Sequence, residues 1–347
     1  MINILHFLLK SNKAKKNQII TSENGFTLIE LLIALAIAFL IITPMLGFMI
    51  SVLNTDQNEQ AKSNAEQELQ TALDYISRDL QQALYIYDET GLNAIKSQLP
   101  DASATDRVPI LVFWKREYVP RAIDAPDGRD DTFVYSLVAY YLIKDSQQPW
   151  SKAARIARWQ IKDGVSTTSK TSFSNCGTAN RYVPGYCPDA GFARFSIEQA
   201  LSIESGMNQW TKGSAAYNIA PSVLIDYIDQ TPINEVPTQD QTKLQPVCPV
   251  DQAQPNRWSL ITPAQVTSGD LSNITGFYVC VDRASINDSV RSEGVDRPNP
   301  TAKIFLRGNG LARLDRQSSS VRKYSKSQDA FFPTASVIIE VQGYLSR

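Results

Sequence analysis

The hydrophobic pattern of this chain changes twice. From Phe26 to Leu53 apolar residues occupy every helical face, interrupted by Thr27, Glu30, Thr43, Pro44, Gly47 and Ser51. Those 28 residues exceed the roughly 20 that cross a bilayer. From Asp56 the chain turns polar, with apolar positions at Ala61, Ala65, Leu69, Ala72, Leu73, Ile76, Leu80, Ala83 and Leu84. Steps of three and four make one amphipathic stripe. Neither Gly nor Pro interrupts the run between Gly47 and Gly91. The pattern therefore predicts one helix from Phe26 to about Tyr87. It is membrane-embedded to about Leu53 and lays an apolar stripe on a packed domain beyond that. Pro44 removes a backbone donor and Gly47 follows closely, which predicts a kink or a locally melted turn.

After Gly91 the pattern shortens to strands. Ile110–Trp114, Thr132–Ile143 and Arg155–Ile161 are rich in β-branched and aromatic residues and are separated by Pro, Gly and Asp. Three such runs predict an antiparallel meander packed on the helix. Further strands are expected at Ser222–Ile228, Gly276–Val281, Lys303–Arg307 and Ser336–Val341, with long turn-rich segments at Ser166–Pro188, Thr231–Pro255 and Ser285–Pro300. The expected fold class is α+β: a long amino-terminal helix on an antiparallel sheet, enlarged by loop insertions. The expected domains are a leader over 1–25, a helix over 26–87 and a β-rich globular domain over 88–347.

Composition narrows the function. Charged residues make up 20% and apolar ones 43% of the 347, which are globular values. Four lysines precede the apolar run (Lys10, Lys13, Lys15 and Lys16), with one glutamate. By the positive-inside rule that leader is cytoplasmic and everything after Leu53 lies outside. The leader carries a net +3, so its removal takes the formal charge from −1 to −4. A chain of that charge has no general attraction for nucleic acid. The only histidine is His6. A chain without the leader has none, which excludes Ser-His-Asp and Cys-His chemistry, a histidine base and histidine-ligated metals.

The four cysteines, Cys176, Cys187, Cys248 and Cys280, all follow the apolar run. An even number outside the cytoplasm reads as two disulfides. Chain order suggests Cys176–Cys187 and Cys248–Cys280, one of three possible connectivities. A zinc site is the alternative, but no close Cys pair or histidine supports it.

Gly25-Phe26-Thr27-Leu28-Ile29-Glu30 is the block with the most chemistry. A carboxylate in a membrane segment costs about 2.5–3.5 kcal/mol at the helix centre and is usually functional. A basic leader, then Gly-Phe-Thr-Leu-Ile-Glu, then a long apolar helix resembles the amino-terminal signal of type IV pilins and pseudopilins. The resemblance implies cleavage after Gly25 by a prepilin peptidase that also N-methylates Phe26. It implies that Glu30 neutralises the terminal ammonium of a neighbouring subunit during filament assembly. Two features depart from the commonest pattern: the leader is longer, and Pro44 lies a few residues early. Leu73–Ala83 is similar to the corresponding stretch of PilW-type minor pilins and J-type pseudopilins. Ala302–Arg313 is similar to cyanobacterial pseudopilins linked to polysaccharide secretion and gliding.

Other candidates have plainer readings. Asp124, Asp127, Asp130 and Asp131 put four carboxylates in eight residues, as an extracytoplasmic calcium loop does, or as a solvated turn between strands does. No other cofactor is expected. Arg313, Arg316, Arg322, Lys323 and Lys326 form a basic stretch able to bind an anionic polymer or a partner, or simply to be solvated. Tyr140-Tyr141 fits strand packing. Asn273-Ile-Thr275 and Asn287-Asp-Ser289 match the N-glycosylation pattern, which in a bacterial chain is a chance match.

The expected protein is a non-enzymatic minor pilin or pseudopilin supporting secretion or motility. It is held by a single pass in the inner membrane, with its carboxy-terminal domain in the periplasm or at the cell surface, until it enters a filament. Its partners are the prepilin peptidase/N-methyltransferase, other pilin subunits and an inner-membrane assembly platform. The alternatives are a membrane-tethered adhesin or a carboxylate-dependent glycan hydrolase.

Overall fold

The computed structural model describes residues 25–125, 128–170, 172–177, 180–198, 200–285, 299–315 and 320–341. The leader lysines, His6, Asp127, Arg316 and the Asn287 motif lie outside them. The chain divides into two units, Met1–Asp56 and Gln57–Arg347.

Helix α1 runs over Leu28–Gln81. In the first unit its large apolar side chains are all exposed, Phe26 at its start by 82%. The helix continues unbroken through Pro44 and Gly47, so the melted turn expected there does not form. One missing donor is a small loss within a long ladder. The Thr43 hydroxyl also bonds the Phe39 carbonyl at 2.8 Å, supplying a bond in the same turn.

In the second unit α1 buries Ala61, Ala65, Leu69, Ala72, Leu73, Ile76 and Leu80, the stripe read from the sequence, together with one charged residue, Asp79. The helix stops six residues before the expected end. Ala83–Ile86 is instead strand β1, buried at every position and paired with the next strand. Leu84, Tyr85, Ile86 and Tyr87 favour extended backbone, and only an extended segment pairs an edge of the sheet while packing both faces. Helical spacing of Ala83 and Leu84 had concealed this.

A five-stranded antiparallel meander follows, β1 to β5 in chain order: β2 Arg107–Ala125, β3 Gly128–Ile143, β4 Ala154–Lys162 and β5 Ser222–Ile228. A second antiparallel meander comprises β6 Trp258–Ile261, β7 Phe277–Asp282, β8 Thr301–Arg307 and β9 Thr334–Glu340. The stripe of α1 and strands of both sheets contribute to one apolar core that includes Ile76, Trp114, Tyr140, Trp159, Phe277 and Ile304.

β2 and β3 outrun their neighbours. β1 pairs no further along β2 than Lys115, and β4 reaches only Ser136 of β3. Beyond that, Arg116–Ala125 and Gly128–Tyr135 form a two-stranded ribbon. Val119, Ala122 and Val134 of the ribbon pack on Val165, Val183 and Tyr186. A lone hairpin is marginal in water, and this packing steadies it.

Candidate functional site

At the amino terminus, Thr27 precedes the first helical residue and Glu30 stands three further on. The Glu30 amide donates to Thr27 Oγ1 at 3.3 Å, and the Thr27 amide donates to Glu30 Oε2 at 3.4 Å. The Thr27 hydroxyl also donates to Glu30 Oε2 at 3.3 Å. This is a reciprocal capping box, which satisfies two helix-end donors and places a carboxylate at the positive end of the helix dipole. Gly25-Phe26 lies immediately outside it, exposed. The structure thus puts Gly25-Phe26 directly beside the capped helix start that holds the single acid of the apolar run. The signal for the box, Thr-x-x-Glu before an apolar run, was present in the sequence beside the motif and went unread.

Inside the second unit, a polar cluster joins α1 to the first sheet. Asp79 accepts from Lys115 Nζ at 2.9 Å, from the Tyr140 hydroxyl at 2.8 Å, and from Arg158 Nε and Nη2 at 2.7 and 3.1 Å. Burial pushes the Asp79 carboxyl up, but Arg158 and Lys115 outweigh it, so its pKa lies below the ordinary carboxylate value. Burial, with the Asp79 charge beside it, pushes the Tyr140 phenol well up. A second layer completes the cluster. Lys115 reaches Glu117 at 3.2 Å, Arg158 donates to Gln160 at 2.6 Å, and Gln160 donates to Glu117 at 2.8 Å. These groups satisfy one another, which gives a positioning device rather than a reactive centre.

A second buried pair joins the two sheets. Arg307 Nε donates to Asp229 at 2.7 Å and Nη2 to Thr275 at 2.8 Å, with Arg307 and Asp229 both fully buried. The Asp229 amide donates to the Arg307 carbonyl, and the Arg307 amide to the Gly276 carbonyl. A Cβ at Gly276 would lie 2.1 Å from the Asp229 carbonyl, so only glycine admits this approach. The cysteines form Cys176–Cys187 and Cys248–Cys280, the pairing chain order suggested.

The acidic stretch falls at the ribbon's end. Asp124 pairs with Arg129 at 3.1 Å. Asp131 accepts from the Tyr118 hydroxyl and from the Arg121 amide, and these bonds hold its carboxyl low. Asp130 is adjacent to Asp131 in β3 and so points to the opposite face. Among the described residues, no group of three or more acidic, histidine or cysteine side chains is placed to hold a metal. The described members of the basic stretch are each paired: Arg313 with Glu68, Arg322 with Asp315, Lys323 with Glu235, and Lys326 with Asp240. Those acids lie up to 245 positions away in sequence, which kept the pairing out of reach of sequence reading.

Against known families, residues 20–46 match the prokaryotic N-terminal methylation motif. No curated protein and no solved structure matches the chain. The match supports a type IV pilin-like protein, and the exposed apolar helix behind it fits membrane anchoring. The motif implies processing by a prepilin peptidase and assembly with other pilins. It ends at residue 46, well before the β-rich domain.

Proposed function

We propose that the chain is a minor pilin or pseudopilin, inserted by α1 in the inner membrane and drawn from there into a type IV pilus-like or type II secretion-like filament. One observation carries this reading: the methylation motif contains Glu30, whose carboxylate caps the start of α1 just where its otherwise uncharged, exposed apolar stretch to Leu53 begins. Such a surface needs lipid or other helices around it. When lipid is exchanged for neighbouring helices, a carboxylate without an opposing charge is expensive. Cleavage after Gly25 creates that opposing charge, the Phe26 ammonium. An acid meeting a neighbour's ammonium sets axial register, because a displaced neighbour leaves both charges unpaired. The capping box gives Glu30 hydrogen-bond partners in its own chain before that meeting.

About 260 residues follow the helix. A domain of that size suits a filament tip or a rare position better than a shaft repeat. The role is assembly rather than catalysis, supporting secretion or motility.

The test is mass spectrometry of the amino-terminal peptide from native cells, combined with shearing of surface filaments. The expected peptide begins at N-methylated Phe26, and Glu30→Ala removes the protein from the sheared fraction while leaving it in the membrane. An intact Met1 start, or unchanged incorporation of Glu30→Ala, overturns the reading.

A further inference from the structure

A cleft of about 770 Å³ opens in the second unit. One wall is α1, with Thr71 and Tyr75; the others are the Gln148–Ala153 segment, strand β5 and residues near Arg313 and Val321. Its volume lies within the roughly 300–1,000 Å³ typical of ligand sites. Nothing in the pilin-like reading uses it.

Two aromatic side chains of the cleft face solvent: Tyr75 is 46% and Trp150 39% exposed. The largest aromatics of the neighbouring sheet, Trp114, Trp159 and Tyr140, are fully buried. The Arg158 guanidinium stands 5.9 Å from the Tyr75 ring centroid and covers that ring only in part, so both side chains keep open ring surface within one concavity. A third ring, Tyr227, is already covered by the Arg313 guanidinium at 4.3 Å.

The charges of the cleft are matched inside the protein. Arg313 pairs with Glu68 and Arg322 with Asp315. Asp226 accepts from the Ser151 amide at 2.8 Å, the Ser151 hydroxyl at 2.7 Å and the Tyr227 amide at 2.8 Å. A site for a polyanion carries an excess of cations, whereas among the described residues lining the cleft Lys152 and Arg313 are outnumbered by Glu68, Asp226 and Asp315. A site for a lipid chain or an apolar helix is lined by hydrocarbon, whereas here hydroxyls, amides and ion pairs alternate with the rings. Addition of an extended peptide to β5 is also disfavoured. The β4–β5 register shifts twice within seven residues of β5, and Tyr227 adopts φ 60°. Such a strand offers no regular row of backbone groups.

The remaining ligand class presents flat C–H faces to aromatic rings and hydroxyls to polar side chains. We propose that this cleft binds a neutral oligosaccharide, with Tyr75 and Trp150 as stacking platforms. The proposal is independent of the filament reading, since it concerns the second unit of an unassembled chain.

The test uses the full chain in detergent on an array of neutral tetra- to hexasaccharides of glucose, galactose, mannose and N-acetylglucosamine, with uronate oligosaccharides in parallel. Affinities are then measured by tryptophan fluorescence titration and calorimetry. Saturable binding to at least one neutral sugar is expected, weakened about tenfold or more by Tyr75→Ala and by Trp150→Ala. Tyr118→Ala, on the ribbon, leaves it unchanged. Both cleft residues are surface-exposed, so the variants should melt like the parent, and calorimetry covers the loss of the Trp150 signal. No saturable binding across the array, a preference for uronates, or affinity indifferent to both cleft variants overturns the proposal.

Discussion

Replacing Asp79 by alanine tests whether the polar cluster holds α1 on its sheet. The substitution removes four hydrogen bonds and leaves two cations, Lys115 and Arg158, without their shared acid. Breaking a buried ion pair from one side costs about 3–5 kcal/mol. Here Lys115 keeps Glu117 and Arg158 keeps Gln160, so the expected loss is near the lower limit, about 3 kcal/mol. With a urea dependence of about 3 kcal/mol per molar, the midpoint falls by about 1 M. The assay is urea unfolding of the detergent-solubilised chain, followed by tryptophan fluorescence and circular dichroism. Tyr140→Phe removes one bond and should cost about 1 kcal/mol. The acid limb gives an independent check. The folded pKa of Asp79 lies below its unfolded value. Its contribution is therefore fully present above the unfolded value near about pH 4, and is lost as pH falls through the folded pKa. Asp79→Asn should be less stable at neutral pH and lose less of its stability below pH ~4. A loss under about 1 kcal/mol for Asp79→Ala, with an unchanged acid limb, would refute the argument.

Two further outcomes follow from the same structure. Replacing both Cys248 and Cys280 by serine should cost about 3–4 kcal/mol. Replacing Cys176 and Cys187 should cost about 1 kcal/mol less, because the separation is 32 residues in the first bridge and 11 in the second; thermal melts of the two double variants decide the order. Gly276→Ala should destabilise by about 3 kcal/mol, since its Cβ meets the Asp229 carbonyl at 2.1 Å; a variant that melts with the parent would show that the junction yields.

The sequence disclosed what is periodic. The stripe from Ala61 to Leu80 is the buried face of α1, and Ser222–Ile228 is β5 as expected. Apolar runs such as Leu137–Ile143 read as interior strand because they are short, bounded by turn residues and rich in aromatic and β-branched side chains. Short elements were harder. β6 has four residues, Trp258–Ile261, and gave no alternating signal; β1 imitated one more helical turn. Without β6, which opens the second sheet, nothing in the pattern separates that sheet from the first. The ion pairs were least legible. Asp79 meets Arg158 across 79 positions, and Asp229 meets Arg307 across 78. Only the folded topology makes them neighbours. At the amino terminus the reverse held, because Gly25, Phe26 and Glu30 lie within six consecutive residues and the motif is readable in order.

The way α1 leaves its sheet has a mechanical consequence. From Ala61 to Leu80 the helix lies against the domain for about 28 Å at 1.5 Å per residue, then passes through Gln82 into edge strand β1. A pull along the helix axis loads that whole seam in shear, so many contacts must slip together. Asp79 stands at its far end, next to β1, and ties down the last turn that the load reaches. A thread fastened in this manner resists tension along its length far better than force applied sideways at its last turn.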